Sequence, residues 1–223
     1  MFAFITQKEG SNQYGEPSDS LMRMNIDYVR SLGFTPIPVP NDIETAREMV
    51  SGIEYGFLLV TGGGFAPIEF FSNDCEGYVP QPLRDEVERF LVMDATSKRV
   101  PIMGLCRGMH MLNGLFGGTV VRNGSHSKPR HDHYVRFASG RRVLVNTFHN
   151  NAVPVAELSP QFEPLAVEDG TENVECFRSE KLRILGLQWH PERPLPGREA
   201  EEVSAQLASW LIQGTELPTD LLP

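Results

Sequence analysis

Through the first half of the chain, short apolar runs alternate with stretches whose apolar residues recur every three or four positions. Phe2–Thr6, Thr35–Val39, Phe57–Val60 and Pro101–Leu105 are apolar runs of strand length. Between them, Ser20–Leu32 carries Leu21, Met24, Tyr28 and Leu32 at helical spacing, and Gly33 stands where a helix would be capped. Ile43–Val50 reads as a helix. Pro82–Ser97 sets Val87, Phe90 and Leu91 within a rim of charges, the pattern of an amphipathic helix. The polar stretch Gln7–Asp19 reads as a loop, and Pro36, Pro38 and Pro40 place the Thr35–Val39 strand at a sheet edge. Alternating strands and helices predict a parallel sheet covered on both faces.

The second half changes period. Thr119–Val121, Tyr134–Phe137, Arg142–Val145, Leu165–Val167, Val174–Phe177 and Ile184–Gln188 are β-like, close together and separated by turn residues such as Ser139-Gly140 and Asp169-Gly170. They read as antiparallel additions, the last strand rejoining the main sheet. Arg198–Leu211 predicts a final amphipathic helix, and the Pro-rich tail after Gly214 reads as loose. With no repeats or linkers, one α/β domain spanning 1–223 is expected, with a mostly parallel sheet.

Composition narrows the function classes. A net charge of −9 over 223 residues argues against nucleic-acid binding, which needs a basic face. No apolar run approaches the ~20 residues that span a bilayer, and Met1–Gln7 turns polar too quickly for a signal peptide. Cys75, Cys106 and Cys176 form neither a paired framework nor a metal-ligand spacing, which fits a reducing cytoplasm and predicts no metal.

The candidate chemistry begins at Cys106. It stands between Gly104 and Gly108, where an apolar run meets a helical pattern, the setting of a nucleophile elbow. The dipole of the helix starting near Arg107 would favour the thiolate. Downstream, Gln188-Trp189-His190-Pro191-Glu192 offers a base and an orienting carboxylate, since Pro191 keeps His190 extended and Glu192 within reach. Gly62-Gly63-Gly64 follows a buried strand, so backbone N–H groups of Gly63 or Gly64, with that of Arg107, could receive an oxyanion. Each segment alone has a plainer reading: a buried small cysteine, a phosphate-binding turn, a surface loop. Together they favour a cysteine hydrolase with a Cys106–His190–Glu192 triad. This chemistry needs no cofactor, and no nucleotide-triphosphate loop with its glycine-lysine signature is present.

These segments resemble the class I glutamine amidotransferase superfamily over nearly the whole chain. The resemblance implies a flavodoxin-like core and a γ-glutamyl thioester on Cys106 that water hydrolyses. Within the superfamily, Arg107–Asn113, Gly117-Gly118-Thr119 and Val145–Asn151 are similar to free-standing γ-glutamyl hydrolases of the γ-glutamyl-γ-aminobutyrate hydrolase type. That likeness implies that Asn146, Thr147, Phe148 and His149 hold the glutamyl group. Ile5–Lys8, Tyr14-Gly15-Glu16 and Pro36–Asn41 are similar to γ-glutamyl-CDP-amidate hydrolases, which serve capsular polysaccharide phosphoramidate synthesis.

Two positions depart from these patterns. His110 stands where amidotransferases carry a substrate-contacting glutamine, and a histidine cannot offer the same amide donor–acceptor pair, so glutamine is expected to be a poor substrate. Packing on its helix is the competing reading of His110. Ser18 stands where the narrower group is expected to carry an arginine. The Arg122–His133 cluster, with Arg122, Lys128, Arg130 and three histidines, reads either as an anion pocket for a phosphorylated leaving group, as a solvated basic loop, or as a metal site at His131 and His133. The leading expectation is hydrolysis of a small γ-glutamyl amide, with a nucleotide-linked one among the candidates, and without an obligate synthase partner. The alternatives are an ammonia-donor glutaminase subunit of a larger enzyme and a non-catalytic binding module.

Overall fold

Alternation within the strands decides which helices cover which face of the sheet. The computed structural model describes residues 1–122 and 131–222. Strands β1 (Phe2–Thr6), β4 (Thr35–Val39), β5 (Tyr55–Val60), β6 (Ile102–Leu105) and β11 (Ile184–Leu187) run parallel in the order β4-β1-β5-β6-β11. Ala3, Ile5, Phe57, Leu59, Met103 and Leu105 point to one face, where they pack with Val29 of α1 (Arg23–Ser31) and Val203, Leu207 and Leu211 of α5 (Arg198–Gln213). Phe4, Leu58, Val60 and Ile102 point to the other, against Ala46 of α2 (Ile43–Gly52), Val87 and Leu91 of α3 (Pro82–Ser97) and Met109 and Leu112 of α4 (Arg107–Leu115). In the central strands the side chains that reach either cluster are buried, as a doubly covered parallel sheet requires, while Ile37 of the edge strand β4 is only partly buried.

Beyond β11 the sheet continues through antiparallel pairings, in the order β10 (Val174–Ser179), β9 (Glu163–Glu168), β7 (His133–Phe137) and β8 (Arg142–Val145). The expected architecture therefore holds: an α/β fold, parallel where strands alternate with helices and antiparallel where they do not. The proline-rich β4 lies at the edge, where a missing N–H leaves no ladder bond unmade.

Three segments differ from the expectation. The Gln7–Asp19 stretch is not a plain loop: β2 (Lys8–Ser11) and β3 (Pro17–Ser20) form a hairpin. Glu9 Oε2 on that hairpin accepts the backbone N–H groups of Leu83 and Arg84 at 3.0 and 3.1 Å, placing a carboxylate on the first turn of α3. Thr119–Val121 makes only isolated bridges, Val120 to Phe71 and Val121 to Ala152. The tail after Gly214 is docked, because Leu217 and Leu221 bury their side chains in the core beneath α5. Alternation over so short and proline-broken a segment gave no signal of those anchors. No helix among the described residues is long and apolar enough to cross a membrane.

Candidate active site

Strand β6 ends in the turn that presents Cys106. The cysteine has φ 52° and ψ −105°, between the strand and α4, a backbone conformation L-residues rarely adopt. It is held there by its own N–H to Leu187 O (2.7 Å) and by His110 N–H to its carbonyl (3.2 Å). Strain of this kind costs on the order of 1–3 kcal/mol and persists where surrounding structure fixes it. Gly108 permits the geometry: a Cβ there would lie 2.0 Å from Val60 O, so α4 can rest on the end of β5 only without a side chain at this position.

The glycine loop that follows β5 is held from behind by two buried arginines. Arg84 donates to Gly63 O (2.7 Å), Thr61 O (2.7 Å) and Gly62 O (3.2 Å), and Arg107 Nε donates to Phe65 O (2.7 Å). Gly63 and Gly64 both have left-handed φ, 87° and 78°, and their backbone lines the pocket in front of Cys106. With the carbonyls of Thr61, Gly62, Gly63 and Phe65 engaged by the arginines, the loop can offer backbone N–H groups to a ligand. The arginines are balanced by Glu88, fully buried, whose Oε1 accepts from Arg84 Nε (2.7 Å) and Thr6 Oγ1 (2.8 Å) and whose Oε2 accepts from Arg107. Asp85 also pairs with Arg107. Burial, with Arg107 nearby, pushes Arg84 down to about 10; burial would raise Glu88, but the two arginines hold it below the usual carboxylate range. Arg84, Asp85 and Glu88 were legible in sequence only as part of a charged helix rim. The two of them that are buried outright, Arg84 and Glu88, stand one helical turn apart and so share a face.

His190 enters from the end of β11. Its Nδ1 bonds Glu192 Oε1 at 2.6 Å. Its backbone is clamped by Asn146, which accepts from His190 N–H through Oδ1 and donates through Nδ2 to His190 O, both at 2.9 Å. Trp189, fully buried, anchors the same segment to α5 through Ser204 Oγ (3.1 Å). Burial alone would lower the imidazole, but its contacts with Cys106 and Glu192 prevail and lift it to about 9. His190 Nε2 closes no aligned hydrogen bond. Its interaction with the Cys106 thiol is nonetheless strong enough to raise it, an open geometry usual for sites without substrate. Cysteine and imidazole converge on one point of the glycine loop: a Cβ on Gly62 would lie 3.0 Å from His190 Cε1 and 3.4 Å from Cys106 Cβ.

The space these groups enclose is about 120 Å³, walled by Cys106, His190, His110, Phe148, His149 and Arg193. Phe148 meets His190 edge-on with ring centroids 5.3 Å apart, and the Arg193 guanidinium lies 4.1 Å from the Phe148 ring centre. Larger hollows of about 390 and 670 Å³ border α5 but offer neither a cysteine nor a histidine. His110 lines the pocket while its Nε2 contacts Gln188 Oε1 at 2.8 Å, and burial pushes it down to about 3, so it is neutral. Of the four residues expected to hold a glutamyl group, Phe148 and His149 reach the pocket. Asn146 acts on the His190 backbone instead, and Thr147, fully buried, turns away to bond His133. Residues 123–130 of the basic cluster, with Lys128 and Arg130, lie outside the described residues. Arg122 packs its guanidinium 4.9 Å from the Phe65 ring centre and bonds Asn151 Oδ1 (3.0 Å), on the pocket rim.

A second cavity of about 370 Å³ adjoins the first, sharing Gly63 and Arg193 and lined also by Lys8, Asn25 and Met22. Neither Lys8 nor Arg193 was singled out from sequence, because nothing local marks a residue on the hairpin and one after His190 as neighbours.

The Peptidase C26 family model matches residues 3–192. Over 208 residues the chain is 27% identical to the gamma-glutamyl-CDP-amidate hydrolase of Campylobacter jejuni, covering 86% of this chain and 90% of that protein. It is 28% identical over 157 residues to PB2B2.05 of Schizosaccharomyces pombe, described as a glutamine amidotransferase; this match spans 60% of the chain and only 61% of the relative's length. A solved structure from Thermoplasma acidophilum, described as one of the subunits of a GMP synthase, superposes with a TM-score of 0.65 over 96% of both chains at 18% identity, a likeness of fold.

Proposed function

Because the chain belongs to the Peptidase C26 family, we propose that it is a cysteine hydrolase that cleaves a γ-glutamyl amide with Cys106, His190 and Glu192. The observation that carries this reading is a Glu192-bound imidazole converging with a cysteine on a strained elbow in front of the Gly63-Gly64 backbone. With the proton held on His190, the Cys106 sulfur attacks the γ-carbonyl carbon. The carbonyl oxygen gains negative charge and is received by N–H groups of Gly63 or Gly64 and of Arg107. His190 then delivers the proton to the leaving nitrogen, the C–N bond breaks and a thioester remains. A water, giving its proton to His190, attacks the thioester; the C–S bond breaks and glutamate departs. Glu192 holds the imidazole tautomer throughout.

The neighbouring cavity supports an anionic leaving group. Lys8 and Arg193 both line it, and Gly63 and Arg193 join it to the glutamyl pocket. A phosphoramidate or nucleotide-linked amine suits two cations there, and γ-glutamyl-CDP-amidate is the specific substrate we propose, in capsular phosphoramidate synthesis. Three free cysteines suit a cytoplasmic enzyme. No partner is required, since nucleophile, base and donors all come from this chain.

The test is glutamate release from glutamine, γ-glutamyl-γ-aminobutyrate, γ-glutamyl-p-nitroanilide and γ-glutamyl-CDP-amidate, each beside Cys106→Ala. The expected result is preferred turnover of the nucleotide substrate and a loss on the order of 10⁴-fold or more in the variant. Activity surviving Cys106→Ala would sink the mechanism. A preference for glutamine, rising with an added synthase, would favour the second reading: an ammonia-donor component of an amidotransferase, consistent with the description of the fission-yeast relative.

A further inference from the structure

Behind the His149 wall of the pocket, two histidines and a carboxylate from three separate segments converge. His133 begins β7, His149 follows β8 and Glu175 stands on β10. His133 Nε2 lies 3.3 Å from Glu175 Oε2, and His149 Nε2 lies 3.7 Å from Glu175 Oε1. Side-chain exposures are 10%, 2% and 1%, so water reaches this point poorly. Both Nε2 atoms and Glu175 Oε2 are without an aligned hydrogen bond among the described residues. Three orphaned buried polar atoms aimed at one place are costly unless something joins them.

The opposite edges of both rings bear on what could join them. His149 Nδ1 faces Asn151 O at 3.3 Å, and a carbonyl only accepts, so Nδ1 carries the hydrogen. In the neutral ring, Nε2 is then a bare lone pair directed at a carboxylate, a repulsive arrangement. His133 Nδ1 is likewise occupied, by Thr147 Oγ1. Imidazoles fixed through Nδ1 to backbone or hydroxyl oxygen, with Nε2 free and a carboxylate alongside, are oriented as metal ligands are. The spacing agrees. Ligands bound at about 2.1 Å in a tetrahedral site stand about 3.4 Å apart, and the two histidine–carboxylate separations, 3.3 and 3.7 Å, bracket that value. The three candidate ligand atoms all lie within 4.8 Å of one another, so the two rings must close slightly on an ion.

We propose that His133, His149 and Glu175 form a binding site for a divalent first-row transition ion, zinc foremost. Two imidazoles and one carboxylate suit zinc, with a water completing four-coordination. The site is not the His131–His133 pair considered from sequence: the partners of His133 come from the segments after β8 and on β10. A bound ion ties β7, β10 and the Phe148-His149 turn together, so it fixes the pocket wall opposite Cys106 without contacting the reacting atoms. The proposal is independent of the hydrolase reading.

The test uses the full chain as Cys106→Ala, which removes the pocket thiol as a competing ligand and makes the result independent of catalysis. After chelator treatment and dialysis, zinc is added and bound metal is counted by mass spectrometry. Cobalt is added in parallel and its visible absorption recorded. One ion per chain, tetrahedral cobalt bands and a zinc-dependent rise in melting temperature are expected. Glu175→Gln and, separately, His133→Gln should each weaken binding by about 100-fold or more, since they remove a ligand itself, while His131→Gln leaves it intact. Absence of stoichiometric binding, or binding retained in both ligand variants, overturns the site. If one ligand variant fails to fold, the other decides.

Discussion

The two halves of the sheet bury charge in opposite ways. In the parallel half, Arg84, Arg107 and Glu88 are taken fully out of water, yet the Glu88 oxygens accept from both arginines and Thr6, and the guanidinium groups also serve the carbonyls of the glycine loop. In the antiparallel half, His133, His149 and Glu175 are buried nearly as well, but their facing atoms close no bond. The first network is complete within the protein and gives the loop facing Cys106 a rigid back. The second is completed by a bound ion. Burial of polar groups therefore marks a support in one half and a ligand set in the other, and the pairing of individual atoms tells them apart.

The same substitution in each half separates the two kinds of site. Glu88→Gln leaves two buried arginine charges facing a neutral amide, and removing one partner of a buried pair typically costs about 3–5 kcal/mol. Urea unfolding should show that loss, together with reduced activity as the Thr61–Phe65 loop loses its frame. A cost below about 1 kcal/mol would mean that the arginines find other partners and that the network does not support the loop. Glu175→Gln should cost less than Glu88→Gln in chelator-treated protein, where Glu175 has only the 3.3 Å and 3.7 Å approaches of His133 and His149. With zinc at 100 times its dissociation constant, the wild type gains about 2.7 kcal/mol and the variant gains almost none. Equal responses of both proteins to zinc would erase the contrast between the halves.

What sequence conveyed follows the same division. Strand–helix alternation gave the parallel core, and the glycines flanking Cys106 gave the elbow, because both signals are local. Arg84 and Glu88 read as solvated charges because helical periodicity carries no record of Thr6, Gly63 and Arg107, which lie elsewhere in the chain. Glu175 drew no notice inside an apolar strand, since its partners arrive from β7 and from the turn after β8. Asn146 and Thr147 were expected at the ligand because the family resemblance implies that their segment holds the glutamyl group. In the structure Phe148 and His149 line the pocket in front of Cys106, whereas Asn146 bonds the His190 backbone and Thr147 bonds His133.

Within the pocket, two histidines bring the comparison to its smallest scale. Burial lowers His110 to about 3, while His190, equally buried, is lifted by Cys106 and Glu192 to about 9. The signs differ in their consequences. A depressed histidine contributes stability that is complete above its unfolded pKa of about 6.5 and is lost as the pH falls toward 3. His110→Gln should therefore flatten the acid side of the stability profile measured by melting temperature. The raised His190 is the protonated acid below about 9, so delivery of a proton to the leaving nitrogen should fail as the pH climbs through that value. Titration followed by the ring resonances in NMR reads both groups directly. His110 should stay neutral across the range in which the protein is folded, and Cys106→Ala should move His190 down from about 9 while leaving His110 unchanged. If His190 titrates at the same pH with and without the thiol, its shift comes from Glu192 alone. Cysteine and imidazole would then not be coupled as the mechanism requires.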